Sequence, residues 1–393
     1  MLKKYIKNMD YMLFVPLLIL CTFGLVMVYS ASSALPSIRY QNMHWSSDHF
    51  YVSQLHALEL GIIAFIILLF VPTWVYKKNI IIISNVAISI GLLVAVLLFG
   101  KVVNNAKSWI FGIQPAEIIK LSTILFLAGW YAKNQKSVTI SLKAVLKPLI
   151  VIAIYCFLLK KQPDTGTMML LLGTVFTMVF CSGYKVRRFI VLLLGGGIII
   201  SPVILLLVFN PTLILTKVQI NRFLAYKNPF DYAQGIGFQL VNSLVGFAHG
   251  GFTGVGLGKG IQKLGYLPEP HTDFILSVIG EETGLIGVLV VIICIFLIVW
   301  RGILIAHKSK DALDSLIAIG VTASIAIQSF VNIGGVTSLI PLTGVPLPFV
   351  SYGGTSLIVM ISMMGILMQI AIRIKLEETQ KQTNLSVISN NAL

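Results

Sequence analysis

Residues 79–100 read NIIIISNVAISIGLLVAVLLFG and contain no charged side chain. A bilayer core takes about 20 apolar residues of helix to cross, and a surface helix is apolar on one side only. The stretch therefore predicts a membrane-spanning helix, bounded by Lys77 and Lys78 on one side and Lys101 on the other. Working outward, comparable runs lie near 11–30, 53–71, 114–132, 142–159, 165–183, 188–210, 273–300, 312–332 and 352–373. Together they predict an all-α, polytopic membrane protein of about ten transmembrane helices. The run at 188–210 is as clear as 79–100, whereas 114–132, which carries Glu117 and Lys120, is the weakest by hydropathy. Composition agrees: 57% of the 393 residues are hydrophobic and 11% charged. A soluble domain averages about 25% charged residues.

Positive charge sets the orientation. With the N-terminus in the cytoplasm, every short cytoplasmic loop is basic, through Lys77, Lys78, Lys133, Lys136, Lys143, Lys185, Arg187, Arg188, Arg301, Lys308 and Lys310, and both termini lie inside. Outer cations such as Lys217, Arg222, Lys227, Lys259 and Lys263 fall in one long loop, and long loops escape the rule. The net charge of +15 is this bias plus attraction to anionic membrane lipid. No basic stretch has the density or aromatic interleaving of a nucleic-acid site, so no nucleic acid is expected. Lys3, Lys4 and Lys7 before an apolar run resemble a signal peptide, but the run is long for one and an uncleaved first helix is expected. Cys21, Cys156, Cys181 and Cys294 lie in apolar runs and read as buried thiols, without disulfide or metal spacing.

The chain reads as one transmembrane domain, 1–375, and a tail, 376–393, whose Gln, Asn and Ser predict a disordered cytoplasmic end. Two outer segments stand apart. The extracellular loop at about 210–273, between the seventh and eighth helices, is long for a compact protein, which marks it as functional. Its apolar and aromatic residues, among them Phe223, Tyr226, Phe230 and Tyr266, predict order, as short helices on the outer surface. Residues 334–354, GGVTSLIPLTGVPLPFVSYGG, are rich in Pro and Gly and carry no charge. Irregular backbone at membrane depth persists only when buried in protein or lining a cavity.

The densest chemistry is at Leu267–Gly287, LPEPHTDFILSVIGEETGLIG, where Glu269, His271, Thr272 and Asp273 run straight into an apolar helix carrying Glu281 and Glu282. A carboxylate at the mouth of a membrane helix is costly and marks a candidate functional site. Asp273 has two readings: a cap for the helix N-terminus, or a general base strengthened by partial burial. At about 100° per residue, Glu281 lies roughly 80° and Glu282 roughly 180° around the helix from Asp273. The three cannot line one narrow site, and one of the pair is expected to bind a cation from a neighbouring helix. Gln114-Pro115-Ala116-Glu117 reads as a helix start, with Glu117 pairing Lys120 at i,i+3. Asp164 reads as an N-cap, with a functional use left open. Trp109 suits the membrane interface, while Lys107 on an outer loop is free to meet an anion. The glycines of 254–260, GVGLGKG, lack the Lys-Ser/Thr ending of a nucleotide loop, but their N–H groups suit a phosphate. Ser243 has no nucleophile elbow, which speaks against a hydrolytic triad with His271 and Asp273.

These motifs, in this order, resemble the SEDS family of bacterial membrane proteins, the FtsW/RodA/SpoVE group, along nearly the whole chain. The resemblance is carried by GLVMVYS at 24–30, Trp109 with QPAE at 114–117, QPD at 162–164, residues 222–239, the glycines of 250–258, LPEPHTDFI at 267–275, Glu281-Glu282 and PLTGVPLPFVSYGGTS at 341–356. The family implies a peptidoglycan glycosyltransferase that polymerises lipid II into a nascent glycan strand at the outer face of the cell membrane. Its members work with a class B penicillin-binding protein, and the division members with other divisome proteins. The family's essential aspartate falls on Asp273 and its important tryptophan on Trp109. The matching motifs also offer Lys107, Arg222, Gln239, Lys263, His271 and Ser351 as substrate contacts, and Glu117, Lys120, Asp164, Glu281 and Glu282 as structural polar groups. Three motifs depart from the pattern: Lys107-Ser108 stands where a pair of arginines is usual, Thr283 for leucine, and Thr355 for serine. The motifs at 24–32, 262–275 and 343–356 are more similar to the division branch, which implies a septal role, than to the elongation branch.

The implied reaction is inverting transfer from a lipid-diphosphate donor. Asp273 takes the acceptor's proton. Lys107, Arg222, Lys217 and Lys263 are candidates to meet the leaving diphosphate, with a divalent cation as a further candidate without assigned ligands. The lipid tail would lie in a groove between helices, its mouth shaped by 334–354. The competing classes are a lipid II flippase using Glu281, Glu282 and a central cavity, and a scaffold. The concentration of unusual polarity on the outer side favours the enzyme.

Overall fold

The computed structural model describes residues 5, 7–103, 106–185, 187–188, 190–191 and 216–391. Nearly all of the expected span at 188–210, and the start of the loop after it, lie outside the described residues. The other predicted spans are helices. They are α1 (Tyr11–Ser32), α2 (His49–Phe70), α3 (Asn79–Phe99), α4 (Pro115–Lys133), α5 (Leu149–Lys161), α6 (Thr165–Phe180), then, after α7 (Lys217–Lys227) and α8 (Phe238–Gly250) of the long loop, α9 (Ile275–Lys308), α10 (Ala312–Val336) and α11 (Gly354–Asn391). Seven of the described helices are long and apolar enough to cross a membrane, and α6 is a shorter apolar helix.

The weak span, α4, is central: it packs on α3, α6, α10 and α11. Its polarity is internal rather than lipid-facing. The buried Lys120 ammonium lies 2.8 Å from Glu117 and donates to Gln328 at 2.7 Å, while Ser122 bonds Ser89 on α3 at 2.6 Å. Groups that hydrocarbon would penalise thus satisfy one another between helices. Helix starts follow their caps. Asp10 accepts from Met12 N–H, Asp311 from Leu313 N–H and Asp164 from Thr167 N–H, and Thr216 with Gln219 closes a capping box on α7.

Several expectations need correction. Between α3 and α4 the chain forms a short antiparallel hairpin, β1 (Lys101–Val103) and β2 (Ala106–Trp109). Helix α11 runs past residue 376 as far as Asn391. Ion pairs Arg373–Glu377 and Lys308–Glu378 brace the first turns beyond the bundle. Cys21 and Cys294 are buried, but Cys156 is half-buried and Cys181 is exposed.

Helix α9 breaks at Gly284, whose φ of 67° and ψ of −164° are open only to glycine. The carbonyls of Glu281 and Glu282, freed by the break, accept from Val255 and Gly256 N–H, both at 3.0 Å. The glycine-rich loop therefore spends these N–H groups, and that of Gly258 on Glu282 Oε2, on α9 rather than on a phosphate.

Candidate active site

The helix ends and loops at one end of the bundle enclose a cavity of about 330 Å³. The β2 strand and the turn after it bring Trp109 and Gln114; the start of α6 brings Asp164 and Thr165; α7 brings Arg222. The segment before α9 brings Glu269, Thr272 and Asp273, and the 334–354 loop brings Thr343, Gly344, Pro346 and Tyr352. A second, mostly apolar groove of about 370 Å³ lies alongside, lined by Met169, Phe223, Val331, Ile340, Pro341 and Leu342. The two share Thr165, Gly166, Arg222 and Thr343, so Arg222 stands where polar and apolar surfaces meet.

Asp273 does not cap α9. Phe274 occupies that position without a side-chain bond, and no hydrogen bond among the described residues engages the Asp273 carboxyl. The backbone beside it is held instead. Three successive carbonyls each accept from the stretch 332–352: His271 from Tyr352 N–H at 2.8 Å, Thr272 from Ser351 Oγ at 2.7 Å and Asp273 from Asn332 Nδ2 at 2.9 Å. Loss of water pushes the Asp273 carboxyl up to about 7, and the Glu269 charge pushes the same way; Arg222 opposes them. The outcome is a carboxyl with a fixed backbone, a free side chain and a proton affinity suited to exchange near neutrality.

Arg222 donates to the Thr343 carbonyl at 3.0 Å and keeps the rest of its guanidinium for the cavity. Asp164 both caps α6 and accepts from Gln114 Nε2 at 3.1 Å, so it serves the helix and lines the cavity at once. Thr355, one of the departures from the family pattern, takes the Gln114 N–H at 3.1 Å.

Other expected contacts are elsewhere. Lys107 donates to the carbonyls of Leu97 and Leu98, closing the end of α3, and does not line the cavity. Lys263 is buried against Glu282 at 2.6 Å and Ser30 at 2.9 Å. Glu281 takes His249 at 3.0 Å and the N–H groups of Ile261 and Gln262. Both α9 glutamates therefore anchor the loop folded over Gly284, although their side-chain partners Lys263 and His249 come from that loop and from α8. His271 is 3% exposed, its ring centroid 4.5 Å from that of Phe50 and 5.2 Å from that of Tyr352. Burial first, then Arg39, lowers its pKa to about 4, so it stays neutral behind the site. Ser351 is a buried brace and Gln239, on α8, is not among the cavity residues. Among the described residues no group of three or more His, Cys, Asp or Glu is gathered to hold a metal ion. Tyr352, Gly344 and Asn332 were not singled out from the sequence. A polar Asn in an apolar helix, and glycine in a charge-free loop, were the available signals.

The family model for FtsW/RodA/SpoVE, described as cell cycle protein, matches residues 10–376. The chain is 43% identical over 395 residues to the probable peptidoglycan glycosyltransferase FtsW of Bacillus subtilis, covering 97% of this chain and 95% of that one. It is 36% identical to stage V sporulation protein E of the same organism, over 92% and 96% of the two chains. A chain from the structure of a peptidoglycan synthase complex, in which polymerization and crosslinking are coordinated, superposes with a TM-score of 0.73 at 25% identity, covering 92% and 97%. The rod shape determining protein RodA of Thermus thermophilus shares the fold, with a TM-score of 0.64 at 24% identity and coverage of 92% and 96%. A polytopic helical bundle with a polar cavity whose wall is built by the motifs at 109–117, 162–166 and 267–275 thus has its place: the chain belongs to the FtsW/RodA/SpoVE family.

Proposed function

We propose that this protein is a peptidoglycan glycosyltransferase that polymerises lipid II at the outer face of the cell membrane, with both termini cytoplasmic. The observation that carries the reading is the unbonded Asp273 carboxyl, raised to about 7, facing a polar cavity that adjoins an apolar groove through Arg222. An amphiphile with a sugar diphosphate head and a polyprenyl tail fits that pairing of surfaces. Asp273 removes the proton of the acceptor sugar hydroxyl as it attacks the donor's anomeric carbon, and the bond to the lipid diphosphate breaks with inversion. Arg222 meets the charge that develops on the leaving diphosphate. A divalent cation has no ligand set among the described residues, so no step is assigned to it.

The similarity to an FtsW over nearly the full chain supports a septal role in cell division. The likeness to a chain of a polymerizing and crosslinking complex supports a class B penicillin-binding protein as partner. The test is purified protein with that partner and lipid II. Asp273→Asn should bind lipid II and make no glycan polymer; near-normal polymer from the variant removes the assignment, and transbilayer movement of lipid II without polymer from the wild type favours a flippase.

A further inference from the structure

Asn332 sits on the last turns of α10, 3% exposed, one turn beyond the buried Gln328 and Ser329 of the same helix. Its Nδ2 donates to two carbonyls, Asp273 at 2.9 Å and Val345 at 2.7 Å, while its Oδ1 is buried without a hydrogen-bond partner. The two acceptors fix the orientation of the amide, because a flipped group would set oxygen against both carbonyls. An unmet buried acceptor is a cost, and the two N–H groups are what this side chain contributes in exchange. The carbonyls they join belong to different halves of the site. One is the backbone of the candidate base. The other lies two residues after Thr343, whose carbonyl holds Arg222 at 3.0 Å. Between them Gly344, at φ 76°, leaves a space with Asp273 Oδ2 3.3 Å and Arg222 Nη2 3.7 Å from where a Cβ would stand.

We infer that Asn332 is a positioning residue: by joining the Asp273 carbonyl to that of Val345 it sets the gap between the Asp273 carboxyl and the Arg222 guanidinium, and so keeps the base unpaired. The inference rests on the proposed role of Asp273 and adds a cause for its freedom. The two opposite charges attract, and nothing on the Asp273 side chain restrains it; the backbone tie does. Without Asn332 the segments can close until carboxylate and guanidinium pair, which weakens the base and occupies the cation meant for the diphosphate. The titratable and charged groups around Asp273 are Glu269 and His271 on its own segment, Arg222 from α7, Asp164 from the start of α6, Tyr352 from the 334–354 loop, and Arg39, which donates to the Pro268 carbonyl. Of these Arg222 is the cation placed to collapse onto Asp273.

The experiment is lipid II polymerisation by the full chain with its partner, as kcat and KM between pH 5.5 and 8.5, for wild type, Asn332→Ala, Asn332→Gln and the double variant Asn332→Ala with Arg222→Gln. Asn332→Ala should lose about ten- to a hundred-fold in kcat, with lipid II affinity within about two-fold, and the midpoint of its rising pH limb should move down by about one unit. Asn332→Gln, which keeps both donors, should hold the wild-type midpoint. Removing the Arg222 charge from the Asn332→Ala background should bring the midpoint back up, whatever it does to the rate. Should Asn332→Ala fail to fold, Asn332→Ser gives the same shift in smaller measure. A folded Asn332→Ala or Asn332→Ser protein with an unmoved midpoint overturns the inference, as does a shift that survives loss of the Arg222 charge. Asp273→Asn run alongside separates the failures: if it polymerises normally the proposed function falls, and if it is inactive while Asn332 variants keep their midpoint only this inference does.

Discussion

Arg222 and Asp273 approach the same empty point above Gly344, within 3.7 and 3.3 Å of it, without forming an ion pair. A base and a cation that close would pair if free to do so, and pairing would spend both. Their separation is the geometric condition for one to accept a proton while the other meets a diphosphate.

The pH dependence follows from the raised Asp273 carboxyl. A general base works ionised, and loss of water and Glu269 hold this one near 7, so polymerisation should rise with pH through about 7. Below the midpoint the rate should fall about tenfold per unit. Glu269→Gln removes the second cause and should move the midpoint down. The kcat/KM profile measures both, and a rate flat from pH 5.5 to 8 contradicts the account.

The same shift bears on stability with a definite sign. The ordinary carboxyl value is 3.8 and the folded value about 7. Below pH 4 the group is protonated folded or unfolded. Above it the fold disfavours ionisation, so this group's contribution declines as pH rises through 7, by at most about 4 kcal/mol. Asp273→Asn, which cannot ionise, should therefore melt higher than wild type at pH 8 and about equally at pH 4. Thermal unfolding in one detergent at the two pH values tests it; equal gains at both would contradict the shift.

Three of the four cations expected to serve the diphosphate, Arg222, Lys107 and Lys263, should separate. Arg222→Gln should cut polymerisation by at least about tenfold with the fold intact. Lys107→Ala, which only removes a tie to the end of α3, should leave the rate within about threefold of wild type and lower stability slightly, by about 1 kcal/mol. Lys263→Ala strands the buried Glu282 carboxylate and should destabilise by about 3–5 kcal/mol. Activity and melting temperature on the same preparations decide; a Lys107→Ala protein as impaired as Arg222→Gln would return Lys107 to the site.

Gly344→Ala should lose activity for two reasons at once. Its φ of 76° disfavours any side chain, and the added methyl would stand 3.3 Å from Asp273 Oδ2. An activity loss of about tenfold or more is expected with modest destabilisation of about 1 kcal/mol. Wild-type rates from this variant would mean that substrate does not use the space above Gly344.

The apolar runs predicted the described spans because each is written in contiguous residues. Even α4 was legible, since Glu117 and Lys120 fall one turn apart and pair. Asp273 was legible because a carboxylate at a helix mouth has few inexpensive explanations. Helical geometry set Glu281 and Glu282 apart from Asp273, but it could not show that the glycine loop turns back on both. Lys107 and Lys263 misled because a cation's partners lie far along the chain: carbonyls of α3 for one, Ser30 and Glu282 for the other. Asn332 escaped notice for the same reason, its acceptors being 59 and 13 residues away.

The carbonyls of His271, Thr272 and Asp273 are gripped by a backbone N–H, a hydroxyl and an amide, none of them charged. Dissolved ions screen charges and leave neutral hydrogen bonds nearly untouched. The mounting of the base is therefore indifferent to electrolyte, while the pull of Arg222 on an anionic headgroup is not. A bacterium growing through swings of external salinity would find its substrate's grip loosened or tightened, with the proton-accepting machinery staying in register throughout.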